Sequence, residues 1–153
     1  MTEAPSGTTG EATVTRVFDA PRKLVWKMFT EPEHFAHWFG TPPFTTPRST
    51  ITMDVRPGGE FRATMVHETD GTELPFVGCF REVVEPERLV QTLDANDRSN
   101  PNIEVVTVTL TDLGDRTHVV YHQTGHLPAE QYPLIEEGVS GFYHRLAEHL
   151  TRC

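Results

Sequence analysis

Eight histidines, two cysteines and several glutamates are the residues of this chain that could carry chemistry. His34 and His37 stand three apart in a helical stretch, and His118 and His122 share one face of a strand. Neither pair has a third ligand at metal-binding spacing, and no His-Glu-x-x-His or Cys-x-x-Cys occurs, so no metal or other cofactor is expected. His118 and His122 are opposite in parity to Val119 and Tyr121 and are expected to face outward. Cys79 follows Gly78 in an apolar run, where desolvation disfavours the thiolate and an inert, protonated thiol is expected. Glu82, Glu104, Glu136 and Glu137 could move protons, but the sequence pairs none of them, and Glu136 and Glu137 read as the solvent side of a helix. No catalytic residue is assigned. Gln123 and Tyr121 share a strand face with Val119, and His67 continues the face of Phe61, Ala63 and Met65. These are the expected inward polar tips.

The elements that would position these groups follow from period. Thr13 to Phe18 alternates as a first strand. Asp19 is the expected cap of a short helix with Pro21 in its first turn and Leu24, Val25, Met28 and Phe29 on its apolar face. Thr30-Glu31-Pro32-Glu33 reads as a capping box opening a second short helix with Phe35, Trp38 and Phe39, which Gly40 ends. Pro42, Pro43 and Pro47 predict an irregular loop.

From Thr50 the period is two. Ile51, Met53 and Val55 alternate, Pro57-Gly58-Gly59 turns, and Phe61, Ala63 and Met65 alternate to a turn at Asp70-Gly71. That Pro-Gly-Gly turn joins two strands and leads into no helix, so it is not a phosphate loop. Further strands are predicted at Phe76 to Val84, Leu89 to Leu93, Ile103 to Thr111 and Thr117 to Thr124, with a polar loop over Asp94 to Asn102. Tyr132, Ile135, Val139, Phe142, Leu146 and Leu150 then step by three or four, one helical stripe that must bury itself on the sheet. Gly138 and Gly141 interrupt that helix, marking either close approach to the sheet or space left beside it.

The 153 residues suit one domain, expected over 12–153 behind a disordered tail at 1–11. A net charge of −9 without a basic stripe disfavours nucleic acid and anionic membranes. No apolar run is long enough to span a bilayer, and the first residues lack the apolar core of a secretory signal. Cys79 and the terminal Cys153 make a poor disulfide pair, which suits a reducing, cytoplasmic setting.

The strings Ala20-Pro21 with Leu24-Val25-Trp26, Phe29-Thr30-Glu31-Pro32-Glu33 with Trp38-Phe39-Gly40, and Met53-Asp54-Val55-Arg56-Pro57-Gly58-Gly59 carry a resemblance in their order and spacing. Gly78-Cys79-Phe80-Arg81-Glu82-Val83 and Pro86-Glu87-Arg88-Leu89-Val90 extend it, so that it runs from about Thr13 to Leu150. The chain resembles the birch-pollen-allergen-like and START-type (SRPBCC) superfamily, in the branch named for the activator of heat-shock-protein-90 ATPase homologues. The resemblance implies an α+β helix-grip fold: a curved antiparallel sheet of about seven strands, two short helices after the first, and a long C-terminal helix in the groove. Relatives include co-chaperone domains, lipid carriers, aromatase/cyclases and proteins that sequester natural products, so fold alone does not give function. Where similar proteins carry Gly-Trp, this chain has Gly138-Val139, which implies a roomier cavity or a different filler such as Phe142.

The expected function is binding of a small hydrophobic or aromatic molecule, by a monomer or homodimer, in a cavity between helix and sheet. Its expected walls are Trp26, Phe29, Trp38, Phe39, Phe61, Met65, Phe80, Val108, Ile135, Val139 and Phe142, with His67, Tyr121 and Gln123 as polar groups. A cyclase- or hydrolase-type enzyme using the same cavity, or a co-chaperone-like interaction domain, are the alternatives.

Overall fold

The structure is a computed structural model that describes residues 10–40, 42–93 and 103–152. The expected tail over residues 1–9, the polar loop 94–102 and Cys153 fall outside the described residues. Strand β1 is Gly10–Phe18, so Gly10 and Glu11, expected in the tail, are already paired in the sheet. Helices α1 (Arg22–Thr30) and α2 (Pro32–Trp38) follow, then β2 (Phe44–Thr45), a 3-10 turn at Arg48–Thr50, and β3 (Thr52–Met53). Strands β4 (Glu60–His67), β5 (Glu73–Val84), β6 (Arg88–Leu93), β7 (Glu104–Asp112) and β8 (Thr117–Gly125) lead to α3 (Gln131–Leu150).

All pairings are antiparallel, in the order β1-β8-β7-β6-β5-β4-β2, with β3 also on β4. In the meander from β4 to β8, short turns join β4 to β5, β5 to β6 and β7 to β8. The first strand closes on the last, in register from Gly10 opposite Gly125 to Phe18 opposite Thr117. A register shift between Phe80 and Glu82 on β5 marks a bulge, the local device that bends a sheet. The sheet curls into a half-barrel around α3, which defines the α+β helix-grip architecture.

Local details differ from the sequence expectations for identifiable reasons. Asp19 does not cap α1. Pro21 stands at the N-cap in extended backbone, and its carbonyl accepts from the N–H groups of Leu24 (3.0 Å) and Val25 (3.1 Å). The capping box at Thr30 does not form either, because Pro32 forces the residue before it out of helical backbone. The break therefore falls at Glu31. Thr30 remains the last residue of α1, and its hydroxyl donates back to the Trp26 carbonyl at 2.9 Å. In the proline-rich loop, Phe44 and Thr45 retain their N–H groups and pair with His67 and Val66, adding a short strand where none was expected. The strand expected from Ile51 to Val55 shrinks to Thr52–Met53, because Asp54 already enters the turn, its carbonyl accepting from the Arg56 N–H at 2.8 Å.

Helix α3 packs chiefly on β1 and α2. Val139, Tyr143, Leu146 and Leu150 are buried there, while Ile135 and Phe142 of the expected stripe are half-buried. Tyr143, outside the expected stripe, is the central residue. At 1 % exposure its ring meets Phe18, Phe29, Trp38 and Tyr121 edge-on, at centroid distances of 5.5, 5.9, 5.9 and 6.4 Å. Glu136 is not simply a solvent-side residue: its carboxylate accepts the Thr13 N–H at 2.9 Å, satisfying a donor on edge strand β1.

The α2–α3 contact carries the histidines. His34 Nδ1 lies 3.0 Å from His149 Nε2, and the His37 ring stacks on His149 at 4.4 Å and 10°. Imidazole lone pairs lie in the ring plane, so the stacked His37 and His149 rings cannot aim at one ion. Among the described residues no group of three or more potential ligands is arranged to hold a metal. Burial holds His149 below the ordinary value of 6.5, helped by the adjacent His37, His34 and Arg152. The unfolded chain then holds more protons than the folded one as pH falls through 6.5, so stability is lost in that direction. The melting midpoint should fall as the pH is lowered from neutrality through that window, and His149→Gln should flatten this part of the profile in a pH series of thermal melts.

Candidate functional site

A cleft of about 550 Å³ lies between α3 and the sheet. Leu74, Pro75 and Phe76 of β5, Leu93 of β6 and Phe39 after α2 form one side. Ile135, Gly138, Val139 and Phe142 of α3, with Leu127 before it, form the other. A smaller pocket of about 70 Å³ shares the walls Phe39, Leu93, Tyr121, Val139 and Phe142 and reaches Phe29, Trp38, Phe61, Val108 and Tyr143. The cleft exists because α3 leans on β1 and leaves its other flank, at Ile135 and Phe142, only half covered. At Gly138 an added methyl would meet nothing within 4 Å, so this glycine marks open space rather than close approach. Val139 touches both spaces where a larger residue would project into them.

One end of the cleft is polar. Glu104, Gln123 and Tyr121 all line it, and they form a hydrogen-bonded chain. Gln123 Nε2 donates to Glu104 Oε1 at 2.9 Å, and the Tyr121 hydroxyl donates to Gln123 Oε1 at 2.5 Å. The Tyr132 hydroxyl also donates to Glu104 Oε1 (3.0 Å) while accepting from the Leu127 N–H (3.1 Å). The His126 N–H donates to Glu104 Oε2 at 2.9 Å. Glu104 is only 6 % exposed, so these three donors are what make its burial affordable. Burial, with the Glu104 charge as a second cause, pushes Tyr121 far above an ordinary phenol, so it stays neutral.

Two glycines make room for this cluster. Gly10 and Gly125 are register partners. A methyl on Gly125 would sit 1.7 Å from Glu104 Oε2, and one on Gly10 would sit 2.1 Å from the Tyr132 ring. Nearby, the Tyr143 hydroxyl is buried and has no hydrogen-bond partner among the described residues.

Ten of the fourteen expected site residues line the cleft or the adjoining pocket: Phe29, Trp38, Phe39, Phe61, Val108, Tyr121, Gln123, Ile135, Val139 and Phe142. The other four lie elsewhere. Trp26 borders a separate groove with Lys23, Lys27 and Pro86 on the far side of α1. Phe80 is core beside Phe61, and Met65 lies against Gly40, where an added methyl would be 3.3 Å from its sulfur. His67 keeps the parity of Phe61 but sits at the strand's end, where its Nδ1 accepts from the Thr69 N–H (3.2 Å) and its ring meets Phe44 edge-on. The turn's amides, rather than a cavity, take up its polar tip. Glu104, which the sequence offered as a possible proton handler without a partner, was not among the expected cleft residues, yet it lines the cleft. Its signal was parity: it is in phase with Val106, Val108 and Leu110, all buried.

A half-barrel sheet holding a helix, with an apolar cleft ended by a buried polar cluster, defines a helix-grip protein. The family model described as Activator of Hsp90 ATPase homolog 1-like protein matches residues 19–151, and the chain belongs to that family. A solved protein of Nitrosomonas europaea is 27% identical over 98% of each chain, with a TM-score of 0.79. One from Chromobacterium violaceum is 25% identical over 91% of this chain and 95% of its own, also at 0.79. An AHSA1 protein from Silicibacter pomeroyi, at 17% identity and a TM-score of 0.81, covers 93% of this chain and 98% of its own and shares the fold. No sequence among the curated proteins matches the chain.

Three substitutions report on this geometry. Gly125→Ala must displace a carboxylate fixed by three hydrogen bonds, and thermal melting should show a loss of about 1–3 kcal/mol. Gly138→Ala fills open space and removes a helix-interior glycine, so the same measurement should show a gain of about 1 kcal/mol. Tyr143→Phe keeps the ring contacts and removes a buried hydroxyl that has no partner among the described residues, and should leave stability level or raise it by about 1 kcal/mol.

Proposed function

We propose that the chain binds a small apolar or aromatic molecule in the cleft under α3, to carry, sense or sequester it. The observation that carries this reading is a largely apolar space of about 550 Å³ with a few convergent polar groups at one end. That size and lining are those of small-molecule sites. The family's fold supports a binding domain, and a net charge of −9 favours a neutral small ligand over nucleic acid or an anionic membrane. Among the described residues no helix is long and apolar enough to cross a membrane.

A reaction of cyclase or hydrolase type in the same cleft is the second reading, and it draws on Glu104 and Tyr121, two ionisable groups joined through Gln123. The largely apolar lining of the cleft favours binding over catalysis.

Native mass spectrometry of protein taken gently from its own cells should show a bound small molecule. Val139→Trp tests the space directly. Because Val139 borders both the cleft and the inner pocket, a Trp there should sharply weaken binding of an apolar fluorescent dye while the melting midpoint holds or rises. A midpoint lowered by about 1–3 kcal/mol of overpacking, with dye affinity unchanged, would mean that Val139 is ordinary core.

A further inference from the structure

We propose that the cleft selects an apolar molecule bearing a hydrogen-bond donor, a hydroxyl or an amine, and rejects carboxylates of the same shape. The proposal rests on the cleft being a ligand site and specifies what that site takes.

The direction of the buried hydrogen-bond chain carries it. A carboxylate only accepts, so Glu104 requires Gln123 to present its amide N–H, and the contact is Nε2 to Oε1 at 2.9 Å. The amide oxygen of Gln123 is thereby turned toward Tyr121, 2.5 Å from its hydroxyl. Tyr121 has one proton to give, and it gives it to Gln123. What the phenol oxygen offers a molecule in the cleft is therefore lone pairs alone. Were Gln123 bonded to a neutral group, its amide could turn over and Tyr121 could donate instead. Glu104 is thus a positioning residue that sets the polarity of a group it does not touch.

Charge acts in the same sense. The donors meeting Glu104 among the described residues are the neutral groups of Gln123, Tyr132 and His126. Among the described residues no cation is bonded to its negative charge, which stands at the polar end of a low-dielectric cleft, where like charges repel more strongly than in water. The Tyr143 hydroxyl in the inner pocket, unpartnered among the described residues and able to turn either way, can satisfy a polar group but does not discriminate.

Naphthol, naphthalene and naphthoate share one apolar body and differ in this group. In competition against a cleft-bound dye at neutral pH, naphthol should bind about tenfold tighter than naphthalene, the worth of one hydrogen bond. Naphthoate should be the weakest of the three. In Glu104→Gln, with its fold checked by melting, the gap between naphthol and naphthoate should close, because Gln123 and Tyr121 can then reverse. Naphthoate equal to naphthol on the unaltered protein, or naphthol equal to naphthalene, overturns the proposal while leaving the cleft a ligand site. Full discrimination kept by a folded Glu104→Gln overturns the role given to Glu104. If that variant does not fold, the series on the unaltered protein decides. Failure of the dye and all three compounds to bind overturns the ligand-site reading itself.

Discussion

The rest of the structure turns on a carboxylate that is out of water. Glu104 sits at the first position of β7, and the groups bonded to it come from β8, from the segment after β8 and from the first turn of α3. An unpaired buried charge costs several kcal/mol, so the chain is held to the one arrangement in which all three donors reach it. That arrangement fixes where α3 begins, through Tyr132, and how the chain leaves the sheet, through His126 and Leu127. It also requires two strands to lack side chains at one rung, which Gly10 and Gly125 provide. Hydrogen bonds to a charged acceptor are worth about 1.5–3 kcal/mol each, enough to offset the desolvation only while all are made.

The apolar half of the molecule is arranged around the opposite constraint. Tyr143 is enclosed edge-on by four aromatic rings, and this cluster joins α1, α2, α3 and the sheet. Arg145 adds a bond to the Gly40 carbonyl that holds the end of α2 to α3. With one flank of α3 committed to β1 and α2, the other cannot also reach the curled strands β5 and β6. The cleft is what remains between them, and Gly138 and Val139 are too small to fill it. Anchored apolar packing at one side and a buried polar cluster at the other together give an open space with a defined polar end.

Much of this was legible in the residue order, and the reasons are local. Alternation from Phe61 to Met65 and through the later segments determined the strands, short turns made them antiparallel neighbours, and a period of three or four determined α3. The helix-grip architecture follows, because one amphipathic helix and one curved sheet have only each other to bury against. Val139 in the sheet-facing stripe was readable for the same reason. Where the sequence misled, neighbouring backbone had a stronger claim: Pro32 moved the helix break to Glu31, and the turn amides took His67.

Tertiary structure alone decided which inward residues meet. Glu104, Gln123 and Tyr132 are separated by 19 and 28 positions along the chain, and no period relates them. His149 reaches His34 across 115 positions by the same kind of closure. That Tyr143 is buried and Phe142 half-exposed, while Tyr132, Val139, Leu146 and Leu150 keep the expected face, depends on the balance between β1 and α2, not on the helix's own pattern. Sequence periodicity specifies the face a side chain takes, because that depends on backbone dihedrals alone. The partner it finds there depends on how far the sheet curls and where the helix comes to rest, and those are set by the packing of the whole.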